Sequence, residues 1–129
     1  MSDQHNDPYA GFKYRLAKTS DEARAEAVAK RHARGGRTAR ENLADLTDGG
    51  ALSEYGQLAV AAQRTRRQGD ALYADTAADG VITAVGAVNA ELFSGEQSQT
   101  ALIINDYSVL AGTQGYFHHR KIDRLLEVA

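Results

Sequence analysis

Two stretches of this chain carry residue types that could do chemistry. The first is Ala111-Gly112-Thr113-Gln114-Gly115, where an apolar run stops and a helix-like segment begins. Glycine lacks a Cβ and so accepts a left-handed backbone, which makes a tight strand-to-helix turn one reading of this stretch. The other is functional: the free N–H groups at a helix start can face an anion or a polarised carbonyl. Neither GxxxxGK[ST] nor GxGxxG is present, which disfavours nucleotide binding through those motifs. The second stretch is "KRHARGGRTAR", with Lys30, Arg31, Arg34, Arg37 and Arg40 and no acid between Glu26 and Glu41. Arginine forks suit phosphate groups. The same charges also fit a solvated helix face around a turn. Nucleic acid is a third reading, disfavoured because no aromatic residues interleave the cations. His118 and His119 point about 100° apart on a helix and cannot easily share one metal. They read as a partly exposed helix start, and no metal site is expected. No Ser/His/Asp or paired-carboxylate arrangement stands out.

Composition narrows the classes. The 129 residues fit one domain at most, and 43% of them are hydrophobic, enough for a modest core. A net charge of −2 gives no global pull toward nucleic acid or membrane. Twelve of the fifteen Lys and Arg lie before Ala71, so the basic character is local to the first half. There is no cysteine, hence no disulfide framework and no thiolate metal site. The first residues lack the apolar core of a secretory signal, and no apolar run approaches ~18 residues. The expectation is a cytoplasmic protein without a membrane span.

The elements that must position these residues follow from local patterns. Residues 1–18 read as a polar arm with scattered aromatics. Thr19 and Glu22 have capping-box spacing ahead of an alanine-rich helix reaching about Ala33. Gly35-Gly36 ends that helix. Thr38 and Glu41 repeat the spacing before a short helix with Ala39, Leu43 and Leu46 on its apolar stripe. "TDGGALSEYG" reads as turn material, and residues 58–74 are neither cleanly periodic nor cleanly a loop. "GVITAVGAVNA" and "TALIINDYSVLA" read as strands apolar on both faces, as in a sheet covered on both sides. Ile122, Leu125, Leu126 and Ala129 then form the inner face of a last helix packing back on that sheet. Two or three such strands and one helix make a small sheet with an open edge. The expectation is therefore the first part of a larger α/β domain, marginally stable or self-associating by itself.

Three blocks, in order, resemble the carboxyltransferase component of biotin-dependent acyl-CoA carboxylases, the acetyl- and propionyl-CoA carboxylase family. They are "GGRTARENLADLTDGGALSEYG", "ADGVITAVGAVN" and "NDYSVLAGTQGYFHHRKIDRLLEVA", which together cover about residues 31–129. The resemblance implies a partial crotonase-like fold of β-β-α units, with residues 19–129 as the N-terminal portion of the domain. It implies transfer of a carboxyl group from carboxybiotin to the α-carbon of an acyl-CoA through an enolate held by backbone N–H groups. The family's Gly-Gly oxyanion segment would follow the last helix, so the chain by itself is expected to be inactive and no catalytic residue is assigned. The resemblance implies that Ala111, Gly112, Thr113 and Gly115 lie beside the acyl-CoA site, with Arg34, Arg37 and Arg40 toward the CoA phosphates. No cofactor is expected to bind directly. Carboxybiotin would come on a biotin carboxyl carrier, with a biotin carboxylase as further partner and a homo-oligomer as the assembly. A non-catalytic fragment or CoA- or partner-binding module, and a basic-patch nucleic-acid binder, are the rival readings.

Overall fold

The computed structural model describes residues 7–129. Residues 1–6 of the expected arm lie outside the described residues. The rest of the arm is helical: α1, Pro8–Ala17, opens with Pro at its first turn and Asp7 accepting from the Tyr9 N–H. Proline suits that position because its missing donor is one the helix start would leave unpaired anyway.

The helix α2, Ala25–Ala33, follows one 3₁₀ turn over Glu22–Arg24. The expected Thr19–Glu22 capping box is absent. The Thr19 hydroxyl donates backwards to the Leu16 carbonyl instead, at 2.7 Å, so it closes α1 rather than opening α2. Gly35, with φ +74°, ends α2 as anticipated. The second capping box is complete. At the start of α3, Ala39–Leu46, Thr38 Oγ1 accepts from the Glu41 N–H and the Glu41 carboxylate accepts from the Thr38 N–H. That second bond holds the Glu41 carboxyl below its ordinary pKa, and His32 and Arg37 nearby act in the same direction. Thr38 Oγ1 also donates to Asp21, at 2.5 Å, so one hydroxyl joins the entrances of two helices. Thr38→Ala is therefore expected to cost about 1–2 kcal/mol of stability by thermal melting. A loss within experimental error would mean that the cap contributes nothing measurable.

The sheet is antiparallel, in the order β1-β2-β3. The strand β1, Ser53–Tyr55, lies inside the stretch read as turn and pairs Glu54 with Ala84. The strands β2, Val81–Ala87, and β3, Gln99–Asn105, form the hairpin that the apolar runs indicate. Between β1 and β2 lies α4, Gly69–Asp75. The last helix is α5, Tyr116–Val128. Together β2, β3 and α5 make one β-β-α unit.

Ile82, Ala84 and Leu102 pack with Ala39 and Leu43 of α3 on one face of the sheet. By the alternation of a strand, Val81 and Thr83, both fully buried, face the other side, where α5 lies against β2. The expectation of two covered faces holds for β2 alone. In β3 only Leu102 is buried and Ile103 is exposed, because β3 is an edge strand. The apolar stripes also shift. Leu46 and Leu126 are exposed, as is Ala129. The inner residues of α5 are His118, Lys121 and Leu125, two of them titratable. No helix among the described residues is long and apolar enough to cross a membrane.

Candidate functional site

The glycine turn is built by Leu110 and Ala111, at φ 47° and 55°, followed by Gly112 at φ +79°. Three successive left-handed residues reverse the chain between β3 and α5, and only the last is glycine. At Gly112 an added Cβ would also lie 3.0 Å from the Tyr107 ring. Gly115 has a different reason to be glycine. Its backbone is extended, and a Cβ there would meet the Asp79 carboxylate at 3.0 Å.

That carboxylate settles what the start of α5 holds. Asp79 is 2% exposed and accepts from the His118 N–H at 2.8 Å. A helix start attracts negative charge, and here the protein's own side chain supplies it. The expectation of free donors at this point fails for His118. Asp79 itself sits in a second left-handed run, Ala78, Asp79 and Gly80, at φ 54°, 47° and 75°. Two α5 side chains brace that run. His118 Nδ1 donates to the Asp79 carbonyl at 3.0 Å, which places the neutral imidazole's proton on Nδ1. Lys121 Nζ donates to the carbonyls of Ala78, at 2.7 Å, and Val81.

His118 is fully buried, not the partly exposed residue expected. Burial pushes its pKa below the ordinary value, and contact with Asp79 only partly opposes this. Lys121 is pushed down to about 8, mainly by burial. Glu54 and Asp79 act the other way, and Arg40 adds to the depression.

A groove of about 610 Å³ opens between α2 and the turn that follows β3. The segment entering α2 lines it continuously from Ala23 to Ala27, with Arg24 and Glu26 among the alanines, and the far end of α2 adds Lys30, Arg31 and, at its C-terminal cap, Arg34. Spacings of three and four residues place Lys30 and Arg31 beside Arg34. Ala74, Leu110 and Ala111 add small apolar surface from across the groove. Arg24 is also part of the lining and is buried, held by the Ala74 carbonyl, Asp106 and Ser108.

The predicted site residues divide. Arg34 and Ala111 both line the groove, and Gly112 and Thr113 continue the same turn. Arg37 and Arg40 are engaged elsewhere. Arg37 pairs with Asp45 at 3.1 Å and donates to the Glu41 carbonyl. Arg40 makes a two-pronged pair with Glu54, at 2.6 and 2.9 Å, and donates to the Thr19 carbonyl. Gly115 faces Asp79. Most of the other groove residues carry no signal in sequence, Arg31 and Tyr107 among them. Arg31 was one cation among five, and Tyr107 one aromatic in a turn. Their pairing across 76 residues leaves no local signal.

No family model matches the chain. The β4 subunit of a biotin-dependent long-chain acyl-coenzyme A carboxylase from Mycobacterium tuberculosis is 31% identical over 118 residues, 92% of this chain. Among solved structures, a single-chain, multi-domain long-chain acyl-CoA carboxylase superposes with a TM-score of 0.90 at 46% identity over 98% of this chain. The transcarboxylase 12S subunit, solved as a hexamer with hydrolysed methylmalonyl-coenzyme A bound, shares the fold at a TM-score of 0.69 and 23% identity over 95% of this chain. The chain spans only part of each: 20% of the β4 subunit, 13% of the multi-domain carboxylase and 23% of the transcarboxylase. By sequence and by fold, the chain is similar to a segment of biotin-dependent long-chain acyl-CoA carboxylases, and it shares that segment's α/β fold with the transcarboxylase 12S subunit.

Proposed function

We propose that this chain forms the acyl-CoA-facing part of a carboxyltransferase that moves a carboxyl group from carboxybiotin to the α-carbon of an acyl-CoA. The observation that carries the reading is the groove in which Lys30, Arg31 and Arg34 gather at the end of α2, opposite the turn at Leu110 and Ala111. Coenzyme A would lay its phosphates on those cations and its thin thioester-bearing arm along the turn. In this reading Ala111, Gly112, Thr113 and Gly115 form and support the turn that lets the arm approach closely. Arg34 contacts phosphate, while Arg37 and Arg40 hold the Gly35-Gly36 turn and α3 beside it. Two relatives, at 31% and 46% identity, are long-chain acyl-CoA carboxylases, which favours a long acyl chain. Carboxybiotin reaches the site on a carrier domain or subunit charged by a biotin carboxylase, within an oligomer of cytoplasmic location. Residues 19–129 are the portion of the carboxyltransferase domain that precedes its Gly-Gly oxyanion segment, and residues 1–18 an arm before it.

Calorimetric titration of the chain with CoA tests the proposal. Arg34 is exposed, so its removal carries little folding cost. Arg34→Ala is expected to weaken CoA binding by about 1.5–3 kcal/mol, the scale of a hydrogen bond to a charged group. Gly112→Val, with its fold checked by circular dichroism, should block the arm by bulk. A parent chain that binds no CoA overturns the reading. So does an Arg34→Ala variant that binds like the parent.

A second reading, a CoA-binding module without turnover, is favoured by one observation. The His118 N–H at the start of α5 is taken by Asp79 and cannot serve an enolate oxygen. Carboxylation of an acyl-CoA by the purified chain, with carboxybiotin supplied, would exclude it.

A further inference from the structure

We infer that Arg31 is a pre-set phosphate fork that makes this groove selective for a phosphomonoester, the 3′-phosphate of CoA. The inference rests on the CoA reading above and adds to it the residue that discriminates. Five cations line the groove. Three are neutralised by acids: Arg24 by Asp106 at 2.9 Å, Lys30 by Glu26 at 2.6 Å and Arg67 by Asp75 at 2.7 Å. Arg31 and Arg34 have no acidic partner among the described residues. The groove therefore offers two unbalanced positive charges three residues apart on one helix face. A phosphomonoester carries about −1.5 to −2 at neutral pH, which matches that pair. A carboxylate or a single diester phosphate supplies half as much.

Arg31 is also fixed in place. The Tyr107 ring lies 5.2 Å from its guanidinium carbon. Gly36 lies so close that a Cβ there would collide with the guanidinium. Its Nε donates to the Arg37 carbonyl at 2.9 Å. These contacts commit Nε and set the plane of the guanidinium. The terminal Nη1 and Nη2 make no hydrogen bond among the described residues. They form the end-on fork that binds two phosphate oxygens at once. A fork already held in its bound geometry loses little freedom on binding.

The test compares CoA with dephospho-CoA by calorimetry on the full chain. The parent is expected to bind CoA about tenfold or more tightly than dephospho-CoA, on the scale of charge-assisted hydrogen bonds. Arg31→Ala should abolish that preference and leave dephospho-CoA affinity unchanged. Arg31→Lys keeps the charge without the fork and should restore only part of the preference. Gly36→Ala displaces the guanidinium without altering its charge and should act in the same direction as Arg31→Ala. Thermal melts separate this from a structural role. If Arg31→Ala lowers Tm while the preference persists, Arg31 only ties the two turns together and the inference is overturned. Equal losses for both ligands overturn it as well. A parent that binds both ligands equally removes this inference and leaves the CoA reading standing. A parent that binds neither removes both.

Discussion

Replacing Arg24 by alanine is expected to lower the unfolding free energy by about 3–5 kcal/mol, the range for breaking a buried ion pair by removing one partner. Arg24 is only 8% exposed and uses its whole guanidinium. Nε reaches the Ala74 carbonyl at 3.0 Å, Nη1 reaches Asp106 at 2.9 Å and Nη2 reaches Ser108 at 2.9 Å. Those partners belong to α4 and to the turn after β3, so one side chain from the entrance of α2 ties three separate parts of the chain together. Truncation leaves Asp106 without its cation and a void at the floor of the groove. Urea denaturation measures the loss. A change under about 1 kcal/mol would place Arg24 with solvent-exposed pairs, which contribute little.

The second large effect depends on pH and belongs to Lys121. Its pKa falls from 10.5 to about 8 on folding. Between those two values the unfolded chain binds more protons at this residue than the folded chain does. Stability contributed by Lys121 therefore rises with pH across the window and levels off above it. Each tenfold change in proton affinity is worth about 1.4 kcal/mol, so the full effect is about 3 kcal/mol. The quantity to measure is the stability difference between the parent and Lys121→Met, which isolates the contribution of this one residue. Methionine keeps an apolar stem and has no proton to lose. The parent is expected to gain about 3 kcal/mol on the variant between pH 7 and pH 11. Parallel stability curves would show that Lys121 titrates as it does in water.

Much of the frame was legible in sequence because its signals are short-range. The Thr38–Glu41 box needs only a spacing of three, and Gly35 only a positive φ. The β2 strand announces itself through an unbroken apolar run. What stayed hidden depends on distant partners. Ser53–Tyr55 is too short and polar to read as a strand, yet Glu54 is stabilised there by Arg40, and Tyr55 pairs with Thr83. The inner face of α5 was misread toward Leu126 because leucine outranks lysine and histidine on any apolar scale. The true face carries His118 and Lys121 because carbonyls of the turn before β2 accept their protons. The site divides in the same way. Arg34 and Arg40 look alike in sequence, and only Glu54, brought alongside in β1, separates a committed arginine from an open one.

The left-handed run at Ala78, Asp79 and Gly80 has a consequence for the order in which the chain matures. Left-handed alanine is unfavourable by itself, by about 1–2 kcal/mol, and left-handed aspartate less so. The donors that brace them come from His118 and Lys121, about forty residues further on. Until α5 is synthesised these donors are missing, and the turn that feeds the β2–β3 hairpin lacks its braces. The Asp79 carboxylate that takes the His118 N–H also lies against Gly115, at the end of the other bend. The two bends that border the hairpin therefore share one set of contacts, which only α5 completes.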